Sequence, residues 1–219
     1  MPNIAEAYEL REIEVSPASL LLDPKNPRIV LTTDQEADYE PWELASDEVQ
    51  NHIFSVVDRK EFNVKKLIDG ISNDGFLDQG NRMIVKKVDG TGRYLVLEGN
   101  RRLTAIRHLL QDGGELKPHV ERSLQRIRVD ELLFTDTAGF SEEQIELKLL
   151  GMIHLNGPLE WGAMERAHYI YRYYMQQLKE YGYDSFWYLS DHAAAVGEFF
   201  NMSTREVRKQ LAIYRVYLQ

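Results

Sequence analysis

The chain has no cysteine. That absence excludes a disulfide scaffold, a thiolate metal site and a cysteine nucleophile. It also has no apolar run approaching the roughly 18 residues of a transmembrane helix. Its first residues, MPNIAEAYELREIEV, lack the basic-then-apolar order of a secretory signal, so a cytoplasmic protein with no membrane partner is expected. Cations are in the minority, 26 against 35 acids, for a formal net charge of −9. A uniformly basic nucleic-acid binder is excluded, but a local basic patch is not, because the distribution of charge decides such contacts. What is present is ample: 219 residues at 43% hydrophobic content can build one large core or two small ones.

No internal repeat or low-complexity tract appears, so proline and glycine mark the boundaries. Leu20-Leu21-Leu22 followed by Asp23-Pro24-Lys25-Asn26-Pro27-Arg28 reads as a short strand entering a rigid turn. Residues Thr32 to Glu48 are acidic and irregular and read as a surface excursion. Helical spacing of Ile53, Val56 and Val57, then Val64, Leu67, Ile68 and Ile71, predicts two helices with a break between Asp58 and Asn63. Arg82 to Val88 and Tyr94 to Leu97 read as strands joined by the turn Asp89-Gly90-Thr91-Gly92. A helix from Arg101 to Gln111 ends at Gly113-Gly114, and Ile127 to Phe134 reads as a further strand. From the capping box Ser141-Glu142-Glu143-Gln144 onwards the pattern is helical, with a long helix over Trp161 to Tyr181 and shorter ones after Ser190 and Ser203. The expected organisation is α+β: a small mixed-sheet domain over residues 1–138, centred on a phosphate-binding unit from Ser16 to Leu110, and an all-α domain over 139–219.

The segment Leu95-Val96-Leu97-Glu98-Gly99-Asn100-Arg101-Arg102 is the chemically informative one. A strand ends in a carboxylate, turns at a glycine and opens a helix on two adjacent arginines. Gly99 suits a tight turn and close approach of a ligand, and Asn100 is a favoured N-cap. The helix start offers N–H groups and partial positive charge, to which Arg101 and Arg102 add donors that match phosphate. The other reading is a plain strand–helix corner with arginines in solvent or paired with acids. Two cations in a first turn oppose the helix dipole, and a broken local rule points to function.

Gly99-Asn100-Arg101-Arg102-Leu103-Thr104-Ala105 resembles the Gly-Glu-Arg-Arg box of the ParB/sulfiredoxin superfamily. Asp74-Gly75-Phe76-Leu77-Asp78-Gln79-Gly80 resembles its preceding glycine-led box, and Leu22 to Arg28 its opening segment. The resemblance implies a ParB-like nucleotide domain in which Gly75, Gln79, Gly99, Asn100, Arg101 and Arg102 bind a nucleoside triphosphate, CTP or ATP, with a magnesium ion completing the site. A third box would lie near Met152 to Ala167, where the family's Glu-Asn pair is not reproduced, although Glu165 and Ala167 resemble later positions. Asn100 stands where the family usually has glutamate. Glu98, just before the glycine, resembles the branches of the superfamily proposed to act as nucleases or phosphotransferases. It is a candidate metal ligand or general base, or else a structural partner of the arginines. Sulfiredoxin chemistry needs a cysteine and is excluded.

Residues 191–217 fit a helix-turn-helix, with Gly197 where the helices cross, Asn201 at a left-handed turn and Ser203 with Glu206 as a capping box. Thr204, Arg205, Arg208 and Lys209 then face outward, as DNA contact requires. An ordinary helical hairpin with solvated charges is the alternative. The aromatic series from Trp161 through Tyr188 has mixed helical spacing and suits a core or a partner interface better than base stacking. His154 and His168 are too isolated to suggest a metal site. The chain stops at Gln219 in or just after an apparent helix, which leads us to expect a homodimer formed through a region outside this chain. The expected function is nucleotide-regulated engagement of DNA or a partner. The alternative is an NTP hydrolase or nuclease using Glu98.

Overall fold

The computed structural model describes residues 6–33, 38–77, 82–135, 139–155 and 161–218. It divides into two compact units, Met1–Gly139 and Phe140–Gln219.

The first unit is built on a five-stranded mixed sheet in the order β1-β5-β3-β4-β2. Its strands are β1 (Tyr8–Val15), β2 (Leu20–Leu22), β3 (Met83–Val88), β4 (Arg93–Glu98) and β5 (Ile127–Phe134). β3 and β4 form the expected hairpin, with Gly90 and Gly92 at positive φ in its turn. β2 lies parallel to β4 in the register Leu20↔Tyr94, Leu21↔Leu95 and Leu22↔Val96. β1 pairs antiparallel with β5 along its whole length. The sequence does not announce this strand, because YELREIEV is exposed at most positions and backbone pairing rather than apolar alternation holds it.

Among the described residues of this unit, six α-helices accompany the sheet: α1 (Pro27–Thr33), α2 (Pro41–Leu44), α3 (Asp47–Val57), α4 (Val64–Asp74), α5 (Asn100–Gln111) and α6 (Pro118–Gln125). Three of them, α1, α2 and α6, begin on a proline, and α1 and α2 start where the sequence reads as a turn and a surface excursion. Proline is favoured in a first helical turn, where the missing N–H has no intrahelical partner to lose. Ile53, Val56 and Val57 of α3, Ile71 of α4 and Leu103, Ile106 and Leu109 of α5 close over Leu20, Leu22, Met83, Val85 and Val96 in one core. At about 25 cal/mol per Å² of apolar surface, such burial dominates the stability of the unit.

The second unit is entirely helical among its described residues: α7 (Glu142–His154), α8 (Ala163–Glu180), α9 (Ser190–Phe200) and α10 (Thr204–Tyr217). Its core combines aliphatic side chains such as Ile145, Ile170 and Leu178 with a cluster of rings. Trp161 stacks on His154 at 4.2 Å, and Tyr173 lies 4.4 Å from Phe199 and 5.0 Å from Phe200. Gly151 is the small residue this packing needs, since a Cβ there would stand 2.5 Å from the Phe200 ring. Among the described residues no helix is long and apolar enough to cross a membrane.

Candidate phosphate site and basic helix

The segment after β4 folds as its composition dictates. Gly99 sits at φ 112°, ψ 15°, a conformation costly for any residue with a Cβ, and it occupies the N-cap position of α5. Asn100 is therefore the first helical residue rather than the cap. The side on which Gly99 would carry a Cβ is filled by Met83, whose Cγ would be 2.3 Å away. This glycine answers to backbone geometry and close packing on β3, not to the approach of a ligand from that side.

Asn100 is 5% exposed, and both ends of its amide serve the fold. Oδ1 accepts from the Asp23 N–H at 2.8 Å, and Nδ2 donates to the Val96 carbonyl at 2.8 Å. The opening segment is thereby tied to the strand–helix corner. Gln50 of α3 adds a second clasp on the free side of edge strand β2: its Oε1 accepts from Leu22 N–H at 2.8 Å while its Nε2 donates to Leu22 O at 3.2 Å. Arg107 donates to Leu20 O at 2.8 Å and to Gln50 Oε1 at 3.0 Å. Burial and the nearby Arg93 charge lower the Arg107 pKa to about 10.

These clasps fix the backbone leading to Arg28, the second residue of α1. Burial, and then the charge of Arg28, push the Arg101 guanidinium below its usual pKa, with Glu98 opposing the shift. Arg101 Nη2 reaches the carbonyl of Asn63 at 3.5 Å, and its Nε is buried with no hydrogen-bond partner among the described residues. Arg102 is more deeply placed: burial lowers its pKa, and Glu98 counters from 3.7 Å. Glu98 and Arg102 have side chains only 15% and 17% exposed, so the contact is partly shielded from water. Arg101 and Arg102, in one helical turn, thus both feel the charge of Glu98, and Arg101 also feels that of Arg28 from the opening segment. Sequence reasoning misses Arg28 as a site residue. Its one signal is its place in the opening segment, which gives no distance to the Gly99 turn.

Gly75 lies at the C-terminus of α4 with φ 81°, against Ser123 of α6, whose Oγ accepts from the Phe76 N–H at 2.8 Å. A Cβ on Gly75 would approach that Oγ to 3.1 Å. Gln79 and residues Asn156 to Glu160 of the expected third box fall outside the described residues. Among the described residues no group of three His, Asp or Glu side chains is arranged to hold a metal.

In the second unit, α9 and α10 are joined by a tight turn. Asn201 adopts the left-handed conformation at φ 55°, and the Met202 N–H donates to Gly197 O at 2.7 Å. A Cβ on Gly197 would stand 2.6 Å from Met202 O, so only glycine permits this crossing. Ser203 and Glu206 form the capping box of α10, worth about 1 kcal/mol. The Ser203 bonds hold the Glu206 carboxyl below its usual pKa. Val207, Leu211 and Tyr214 face inward, and Thr204, Arg205, Arg208 and Lys209 are exposed on the opposite side. His168 is buried beside Tyr214, and burial together with the Arg172 charge lowers its pKa to about 4.

No family model and no curated protein matches the chain. Solved structures similar to it include a Pnob8-like ParB-N domain, at 13% identity and a TM-score of 0.46 over 92% of this chain and 68% of that one. A second is the C-terminally truncated chromosome-partitioning protein ParB from Caulobacter crescentus in complex with CTP-gamma-S, at 14% identity and a TM-score of 0.35 over 92% of this chain and 77% of that one.

Proposed function

We propose that the chain binds a nucleoside triphosphate, CTP or ATP, through Arg28, Arg101 and Arg102 at the start of α5, and that the bound nucleotide regulates how α10 engages DNA or a partner. The observation that carries this reading is the partly buried pair Arg101 and Arg102 in the first turn of α5, with Glu98 3.7 Å from Arg102 and the charge of Arg28 felt at Arg101. Like charges brought together and partly buried are costly, and an anion with several acceptor oxygens relieves that cost. The helix start adds N–H groups of the same polarity. Gly75 and Gln79 would contribute the facing wall, as the resemblance of their box implies, and magnesium would be carried with the triphosphate rather than by a cage of carboxylates.

The contact between Glu98 and Arg102 supports binding over turnover, since a carboxylate engaged with an arginine is a poor general base. Exposed Thr204, Arg205, Arg208 and Lys209 at the start of α10 support DNA contact. Calorimetric titration with CTP, ATP and GTP, with and without magnesium, tests the nucleotide reading. At least one triphosphate should bind, and Arg28→Ala and Arg102→Ala should each abolish most of the affinity. Absence of binding by all three would refute it.

A further inference from the structure

The connection between α8 and α9, residues 181–189, is held in place by one hydroxyl. Tyr174 Oη accepts from the Leu189 N–H at 2.8 Å and donates to Trp187 O at 2.8 Å. Phe186 turns inward, with ring centroids 5.8 Å from Tyr171 and 5.6 Å from Tyr174. Its neighbours are left outside: Trp187 is 61% exposed and Tyr188 41%. A pinned loop that keeps an indole in water forgoes the burial that so large a side chain would otherwise gain.

This loop lies against the basic helix. The Arg208 guanidinium is 5.6 Å from the Tyr188 ring centroid, and that of Arg215 is 4.5 Å from the Phe186 ring. Arg205, Arg208, Lys209 and Arg215 are all exposed on α10, and the one acid among its exposed residues, Glu206, is bonded to Ser203. Asp184 lies within the loop and Asp191 just after it. Cations that track a sugar–phosphate backbone, beside exposed rings that can take a base face, are what an unpaired strand needs. A duplex keeps its bases stacked and offers Trp187 no such face.

We propose that Trp187 and Tyr188, with Arg208 and Arg215, form a binding ledge for single-stranded nucleic acid beside the duplex-facing residues of α10. It rests on the reading of α10 as a nucleic-acid surface, and it adds a ligand that the helix alone would not select.

The experiment uses the full chain with oligothymidylate, an abasic strand of equal length, and a duplex. In a Trp42→Phe background, Trp187 is the exposed indole and Trp161 is only 4% exposed, so oligothymidylate should quench the emission and the abasic strand should not. Trp187→Ala should weaken oligothymidylate binding by about tenfold or more, the range set by stacking one base, while abasic and duplex binding stay unchanged. Equal affinity for oligothymidylate and the abasic strand, or no effect of Trp187→Ala on the former, would overturn the ledge. So would an effect of Trp187→Ala confined to self-association, which would make the loop a protein contact. Duplex binding that depends on Arg205 and Lys209 reports on α10 separately, so failure of the ledge and failure of the α10 reading are distinguishable.

Discussion

The amide of Asn100 accepts the Asp23 N–H and donates to the Val96 carbonyl, joining the opening segment, β4 and the first turn of α5 through one buried side chain. That link ties the opening segment, which carries Arg28, to the helix start, which carries Arg101. Asn100→Ala leaves a buried N–H and carbonyl unsatisfied and should cost about 2–4 kcal/mol in denaturant unfolding. Asn100→Asp keeps the acceptor for the Asp23 N–H but sets a buried carboxylate against the Val96 carbonyl, so at neutral pH it should cost at least as much as Asn100→Ala. Both variants should also weaken triphosphate affinity, as seen by calorimetry. Full affinity in a folded Asn100→Ala protein would show that Arg28 and Arg101 are positioned independently of it.

Gly99→Ala combines two penalties, a positive φ of 112° and a Cβ driven to 2.3 Å from Met83 Cγ. A loss on the order of 3 kcal/mol is expected. Met83→Ala opens a core cavity of its own, so the comparison is a double-mutant cycle: Gly99→Ala should cost less in the Met83→Ala background than in the wild type, because the clash is gone while the backbone strain remains. An equal cost in both backgrounds would place it in φ alone.

Much of this corner is legible in the sequence. Gly99, the arginine pair and the β3–β4 turn follow from local chemistry, and the structure has a hairpin and helix where spacing predicts them. Asn100 reads as a cap because short polar residues before a helix cap it. Here Gly99 takes that position and Asn100 points into the sheet, a choice decided by Asp23, 77 residues away. Gln50 and Arg107 are illegible for the same reason: a polar clasp on an edge strand leaves no periodic trace. β1 escapes notice because its pairing uses backbone groups, which every sequence possesses.

Glu98 separates binding from catalysis. As a partner of Arg102 at 3.7 Å, it offsets guanidinium charge that a phosphate would otherwise neutralise. Glu98→Gln should therefore tighten triphosphate binding and leave any basal hydrolysis unchanged, whereas Arg102→Ala should lose affinity. A fall in turnover of roughly two to four orders of magnitude in Glu98→Gln, with affinity near wild type, would instead make it a general base or metal ligand.

The exposed basic residues of α10 should reveal themselves in salt dependence. Arg205→Ala with Arg208→Ala should reduce the slope of log affinity for duplex DNA against log salt by about 0.9 for each phosphate that is no longer neutralised. An unchanged slope would make α9 and α10 a structural hairpin.

His168 sets a pH dependence on the helical unit. Its ring is 3% exposed, its Nδ1 has no hydrogen-bond partner among the described residues, and the Tyr214 ring lies 5.0 Å away. Burial first, and then the Arg172 charge, lower its pKa to about 4, against roughly 6.5 in an unfolded chain. Between those values the unfolded chain takes up a proton that the folded one refuses. Stability is therefore complete above about pH 6.5 and falls as the pH drops towards 4, by up to about 3 kcal/mol. Carboxylates titrate over the lower part of the same range, so the measurement is a comparison. Denaturant midpoints of wild type and His168→Phe, which keeps an aromatic ring in the buried position, should converge at low pH as the wild type loses stability faster. Parallel curves from pH 7 to 4.5 would mean that His168 is protonated in the folded state as readily as in the unfolded one.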